Sequence, residues 1–306
     1  MVILIAGGTG LLGNHLSRML KAKGYAVNHL SRQRNLNTEF PAYKWDLHRG
    51  FIEAEAIEQA DYVINLAGAG VADKRWTASR KQLIIDSRVK STLLLKKYLE
   101  QRAAQGQPIS AYIAASAIGF YGNRGDELLT EDAPPGEKGF LPKSVIAWEN
   151  AIREVQNPGI RTVALRIGIV LSTQGGALEK LMLPFKFFCG VYFGDGRQWY
   201  SWIHIDDLCR MFIEAIENKK LKGFYNAVAP HPARNKDLAF AIKKALERPA
   251  MIIPAPAFAL RAVMGEMAEM ILDGAKVSSE KIMNAGFTFQ HPELLPALKD
   301  LLARKV

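Results

Sequence analysis

The chain has 306 residues, 49% apolar, 9% aromatic and 23% charged, which is enough for a globular core in one large or two modest domains. No apolar run approaches the ~18 residues of a membrane span, and the start Met1-Val2-Ile3-Leu4-Ile5 does not read as a signal peptide. The formal charge of +10 raises nucleic acid as a partner, but no binding module accompanies the excess, so solvated helix faces are the preferred reading. That excess sits in residues 1–38, which hold no Asp or Glu, and in residues 74–102. Cys189 and Cys209 cannot form a disulfide framework, and a reducing, cytoplasmic setting is expected.

Val2–Ala6 is a continuous apolar run ended by glycines, as expected of a strand buried on both faces. Leu12, Leu16, Met19 and Leu20 recur at helical spacing, and Gly24 closes that helix. Tyr25–Leu30 and Asp61–Leu66 read as further strands, the second running into Ala67-Gly68-Ala69-Gly70. A long helix is expected over Ala78–Ala104, then strands at Ala111–Ala115 and Arg161–Val170. From Leu181 to Trp202 the alternation gives way to an aromatic, Gly-punctuated stretch, and beyond Pro230 the chain reads as mostly helical. The expected fold is α/β: a Rossmann-type, doubly wound parallel sheet over residues 1–228, with residues 176–200 leaving it to line a cleft. A smaller, mostly helical domain over 229–306 would bind substrate.

Gly7-Gly8-Thr9-Gly10-Leu11-Leu12-Gly13 lies between the first strand and the first helix, the context in which glycines let a pyrophosphate approach a helix N-terminus. An NAD site places an acid about 20 residues further on, but no acid occurs between Gly13 and Thr38. Ser31-Arg32-Gln33-Arg34 stands there instead, and a guanidinium matches a phosphate dianion that a carboxylate would repel. Arg32, with Ser31, points to NADP(H); the alternative is a surface Arg in a loop.

These motifs combine with NLAGAGVADKRW (65–76), DSRVKST (86–92), ASAIGFYG (115–122), WENA (148–151) and ALRIGIVLS (164–172). GGAL (175–178), SWIHIDDL (201–208), YNAVAPHPARN (225–235) and GFTF (286–289) follow in order. Together they resemble the extended, atypical short-chain dehydrogenase/reductase superfamily, in its nucleoside-diphosphate-sugar epimerase-like (NAD-dependent epimerase/dehydratase-like) branch. The resemblance implies Leu66, Ala67 and Gly68 beside the cofactor and Asp46 against adenine. It also implies a catalytic Ser, matched by Ser116, and a Tyr-x-x-x-Lys that this chain lacks. Counting back from Glu149 puts Leu141 and Val145 in those two positions. The Arg that clamps a diphosphate in sugar-nucleotide epimerases is likewise missing from Tyr200-Ser201-Trp202-Ile203-His204.

Tyr121 is the nearest substitute proton donor, its alternative being a packing role. Arg88 either faces the cofactor cleft or belongs to a solvated helix face. A substrate pocket is expected where Ser116, Trp76, Arg197, Gln198 and Trp202 meet, with Trp199 and Tyr200 as an apolar wall. The alternatives are core tryptophans and a solvent loop at 197–198. His204 with Asp206 and Asp207 reads as a helix cap, so no metal site is expected. The expected function is an NADP(H)-binding, epimerase-like oxidoreductase acting on a small polar, nucleotide-sugar-like molecule, with an altered proton relay. The alternative is a non-catalytic NADP(H) sensor. A small-molecule substrate is the expected partner, nucleic acid and membrane are not, and a homodimer is left open.

Overall fold

Val2–Ala6 (β1) lies at the centre of the sheet, and Ile3, Leu4 and Ile5 are fully buried, as an unbroken apolar run requires. The structure, a computed structural model, describes residues 1–156 and 160–304. After β1 come α1 (Leu11–Ala22), β2 (Ala26–Ser31), β3 (Ala42–Asp46), β4 (Phe51–Ile52), α2 (Ala54–Glu58) and β5 (Tyr62–Asn65). Next are α3 (Ala78–Ala104), β6 (Ala111–Ala117), β7 (Leu128–Leu129), α4 (Phe140–Val155) and β8 (Thr162–Ile167). Then β9 (Ile169–Leu171), α5 (Ala177–Met182), β10 (Cys189–Phe193), β11 (Trp199–Tyr200), β12 (Trp202–His204), α6 (Ile205–Glu217) and β13 (Gly223–Ala227) follow. The chain continues through β14 (Ala233–Arg234), α7 (Asn235–Leu246), β15 (Met251–Ala255), α8 (Ala257–Met264) and α9 (Glu269–Leu272). It closes with β16 (Lys276–Val277), α10 (Glu280–Asn284) and α11 (Leu294–Ala303).

The main sheet has the order β13-β8-β6-β5-β1-β2-β3-β4, parallel except for the antiparallel β3–β4 edge. α4 packs with α3, α6 packs with α1, and α4 and α6 both touch β6 and β8, so helices cover both faces. The expected Rossmann-type α/β fold is therefore the observed one. The run Arg161–Val170, expected as one strand, is instead two. Gly168 interrupts it because a side chain there would collide with the carbonyl of Ser201, and β9 turns away to pair with β12.

Short ladders tie the later chain to the cleft side of the sheet. β10 pairs with β15 and β11 with β14, so residues 189–200 are sheet partners of segments beyond 229. β16 pairs with β7, which draws the C-terminal part against the loop after β6. The two-residue pairings β11–β14 and β16–β7 depend on tertiary contact and carry little local signal of their own.

Candidate functional site

The glycine loop is shaped by backbone crowding. Gly7 has φ +81°, and a Cβ on it would fall 2.9 Å from the Leu66 carbonyl carbon. A Cβ on Gly13 would collide with the Gly7 carbonyl oxygen and lie 2.6 Å from Gly8 Cα. α1 starts at Leu11 with Gly10 as its N-cap, no capping side chain and no acid in its first turn, so its N-terminal N–H groups and dipole face outward. Thr9 and Gly10 are exposed, while Leu11 and Leu12 are half-buried. Gly8 has a separate task that the motif does not announce: its Cβ would overlap the ring of buried His29. His29 Nε2 pairs with Ser17 Oγ at 2.8 Å, and burial lowers its pKa to about 4, so the ring stays neutral.

Arg32, one residue past β2, is exposed and has no hydrogen-bond or ion-pair partner among the described residues, whereas Arg34 reaches Glu53 (3.5 Å) and Glu55 (3.4 Å). Ser31 Oγ accepts from Gln33 N at 3.4 Å. Asp46, at the end of β3, accepts from the N–H groups of Arg49 (3.2 Å) and His48 (2.9 Å), and the first of these bonds leads in lowering its pKa. Leu66, Ala67 and Gly68 leave β5 beside the loop; Leu66 N donates to Ala6 O (2.8 Å) and Ala67 N to Asn65 Oδ1 (3.1 Å). Arg88 reaches this turn from α3, donating to the carbonyls of Ala69 (3.0 Å) and Ile84 (2.9 Å) over the Trp148 ring. Burial, then the nearby Arg80, lowers its pKa to about 10. Arg88 thus braces the floor of the cleft through carbonyls of its own chain.

Ser116 and Tyr121 do not open onto the cleft, which corrects the expected proton relay. Ser116, 2% exposed, donates to Glu149 Oε1 at 2.7 Å. Arg166 holds the same carboxylate through Nε (2.8 Å) and Nη2 (2.9 Å) and donates from Nη1 to the Tyr121 hydroxyl (2.9 Å). That hydroxyl donates to Asn226 Oδ1 at 2.7 Å, and burial pushes its pKa up to about 12. The five side chains form one buried network joining β6 and the turn after it, α4, β8 and β13, in which both hydroxyls are already bonded.

The strand ends at β6 and β8 instead border a cavity of about 150 Å³ lined by Ile118, Gly119, Leu141, Pro142, Ile169, Trp199, Tyr200, Met270, Lys138, Glu269 and Asp273, among others. It adjoins a groove of about 640 Å³ that shares Glu269 and Asp273. Leu141 stands in the cavity wall and Val145 is buried behind it, the Cβ position of Gly119 lying 3.4 Å from Leu141 Cβ and 3.7 Å from Val145 Cγ2, so both relay positions are apolar.

Of the residues expected to line the pocket, Trp199 and Tyr200 do; Trp76, Arg197, Gln198 and Trp202 do not. Trp202 is fully buried and donates to His231 O at 2.9 Å. Trp76 is buried edge-on to Phe140 at 4.8 Å and donates to Val71 O. Gln198 spends its amide on the carbonyls of Ile271 (2.7 Å) and Phe193 (3.1 Å), and Arg197 is exposed, with its N–H on Asp195 at 3.0 Å. Trp76, Trp202 and Gln198 are thus spent on holding the structure together, and Arg197 faces solvent. The sequence reading missed Glu269 and Asp273, one helical turn apart, because nothing local marks them as facing a cavity.

His204 caps α6, accepting from Asp206 N at 3.1 Å. Ligand-type atoms of His204, Asp206, His291 and Asp300 lie within 4.8 Å of one another. Arg304 bonds both carboxylates at 2.7 Å, and the two imidazoles stack at 3.8 Å, a geometry in which their in-plane lone pairs do not converge. The group clamps α11 onto the start of α6.

A glycine-lined helix start, a strand-end cleft and a helical C-terminal part agree with the comparisons. Residues 3–227 match the model of the NAD dependent epimerase/dehydratase family. The chain belongs to that family. Residues 255–301 match a second model, described only as a domain of unknown function (DUF1731). The epimerase family protein YfhF of Bacillus subtilis is 35% identical over 99% of this chain and 98% of its own length. The chloroplastic SDR39U1 homolog of Arabidopsis thaliana is 32% identical over 99% of this chain and 87% of its own. The human epimerase family protein SDR39U1, solved with NADPH, superposes with TM-score 0.88 at 32% identity, covering 99% of each chain. UDP-glucuronic acid 4-epimerase from Bacillus cereus shares the fold with TM-score 0.78, at 19% identity. Among the described residues no helix is long and apolar enough to cross a membrane.

Proposed function

We propose that the chain is an NADP(H)-dependent oxidoreductase of the epimerase-like group, holding a small molecule at the Leu141–Trp199 end of the cleft. The observation that carries this reading is the unpaired Arg32 guanidinium beside an uncapped, glycine-lined helix N-terminus, a donor set suited to a 2′-phosphate and a pyrophosphate. In this reading Gly7, Thr9, Gly10, Leu11, Leu12 and Gly13 receive the pyrophosphate, Ser31 and Arg32 the 2′-phosphate, and Asp46 the adenine. Leu66, Ala67 and Gly68, braced by Arg88, line the path toward β6. The bound cofactor would supply hydride chemistry. The human relative's structure with NADPH supports the same choice of cofactor.

The test is titration with NADPH and NADH. Wild type should prefer NADPH, and Arg32→Ala should weaken NADPH by roughly tenfold while sparing NADH. Equal wild-type affinities would defeat the assignment. A second reading, a non-catalytic NADP(H) sensor, is favoured by the apolar Leu141 and the sequestered Ser116 and Tyr121. A substrate screen followed at the nicotinamide absorbance separates the two.

A further inference from the structure

We infer that the cleft takes a small molecule bearing an amine or iminium group on an apolar body, and that it does not take a nucleoside diphosphate. The inference rests on the cleft assignment above and adds the chemical class of its occupant.

The side chains that face the cavity set the requirement. Among the described residues the Glu269 carboxylate accepts no hydrogen bond and pairs with no cation, while Asp273 has only the amide of Asn123 at 3.2 Å. Both are half-buried and border the same three adjoining cavities. A carboxylate withdrawn from water without a partner is costly, and a ligand cation placed beside it offsets that cost. Burial comes first among the causes that raise both pKa values; the Asp273 and Glu266 charges raise Glu269 further, while Arg261 pulls both carboxylates the other way.

Most of the surrounding cations are already engaged or lie on the rim. Lys138 is exposed on the rim, Arg124 is held by Glu127 at 2.8 Å, Arg234 by Asp126 at 2.6 Å, and Lys81 by Glu266. Arg261, exposed, lines one of the adjoining cavities with Glu269 and Asp273 and holds both pKa values down without forming an ion pair among the described residues. A diphosphate would therefore meet two carboxylates with only this rim guanidinium and Lys138 to offset them. Leu141, Pro142 and Met270 offer an apolar wall for the rest of the ligand.

The missing relay agrees with this class. An alcohol and its ketone differ by a hydride and a proton, so their interconversion needs a group that handles the proton. A neutral amine and its iminium cation differ by a hydride alone, a C–H bond on one side and a C=N⁺ bond on the other. An ammonium must first give up a proton, for which the adjoining Glu269 or Asp273 carboxylate is the available acceptor. Leu141 and Val145, unable to carry a proton, suit the second pair, and inward carboxylates favour its cationic member.

The experiment uses the full chain saturated with NADPH and compares benzylamine, benzyl alcohol and UDP-glucose by calorimetric titration and thermal unfolding. Benzylamine should bind at least about fivefold more tightly than the isosteric alcohol, and UDP-glucose should give no shift at the same concentration. Glu269→Gln and Asp273→Asn should each reduce the amine's advantage. Equal binding of amine and alcohol, tighter binding of UDP-glucose, or an advantage intact in both variants would overturn the inference. The wild-type comparison stands even if a variant does not fold. Failure to bind NADPH would strike the cofactor assignment, whereas NADPH binding without amine preference strikes this inference alone.

Discussion

In the Gly7–Gly13 loop the close contacts are made by main-chain atoms of nearly consecutive residues, whereas the cavity at the Leu141–Trp199 end is lined by residues drawn from between Ile118 and Ala275. The first end is rigid because glycines let backbone pack on backbone, with Gly13 against Gly7 and Gly7 against Leu66. The second is assembled by short ladders and by polar side chains spent on holding it together, such as Gln198 on Ile271 and Tyr200 on Ile271. The difference teaches that polar residues near a cleft divide into those that build it and those that face into it, and that only contacts tell which is which. Ser116 and Tyr121 build; Glu269 and Asp273 face inward.

The largest expected effect tests the building network. Arg166→Met removes the main partner of a carboxylate that is 0% exposed, and should cost about 3–5 kcal/mol of stability in denaturant unfolding. Folded Arg166→Met protein should still bind NADPH, because the network lies behind the cleft. A cost below about 1 kcal/mol would mean that the pair is solvated.

Gly13→Ala should follow at about 1–3 kcal/mol, since its Cβ meets backbone that cannot step aside. Here the order of losses should invert: NADPH affinity should fall by more than stability does. An alanine variant that bound NADPH normally would remove the close-approach argument for this loop.

The remaining effects are pH-dependent and opposite in sign at different places. His29 and His204 have pKa values lowered by burial from 6.5 to about 4, so unfolding takes up protons between those values. Their contribution is intact above pH 6.5 and is lost as pH falls toward 4, by up to about 1.4 kcal/mol per pH unit for each group. Glu269 and Asp273 have raised pKa values, so theirs is intact below the ordinary carboxylate range and is lost as pH rises through the raised values. Solvent screening keeps this second effect to a few tenths of a kcal/mol. Melting curves from pH 8 to 4 should show the histidine loss dominating, and His29→Gln should flatten the slope. An unchanged slope in that variant would show that His29 titrates normally.

Much of the molecule is legible in the sequence because its signals are local. Buried parallel strands need unbroken apolar runs, so β1 and β5 stand out. The glycine spacing of residues 7–13 is a local motif, with Gly13 packed on Gly7 and Gly8, although Gly7 and Gly8 themselves meet the distant Leu66 and His29. The span Ala78–Ala104 and the apolar residues at positions 141 and 145 are readable for the same reason. What tertiary structure alone decided is the direction and company of polar side chains. A serine on a strand faces one side or the other according to what packs there, and Glu149 with Arg166 drew Ser116 inward. Trp202 entered the core while Trp199, three residues away, reached the cavity, because β12 pairs with β9 and β11 with β14. Glu269 and Asp273 became cavity residues only when β16 paired with β7 and brought the C-terminal segment to the sheet's edge. Such placements depend on residues distant in sequence, and the energy that fixes them is shared among partners that no local window contains.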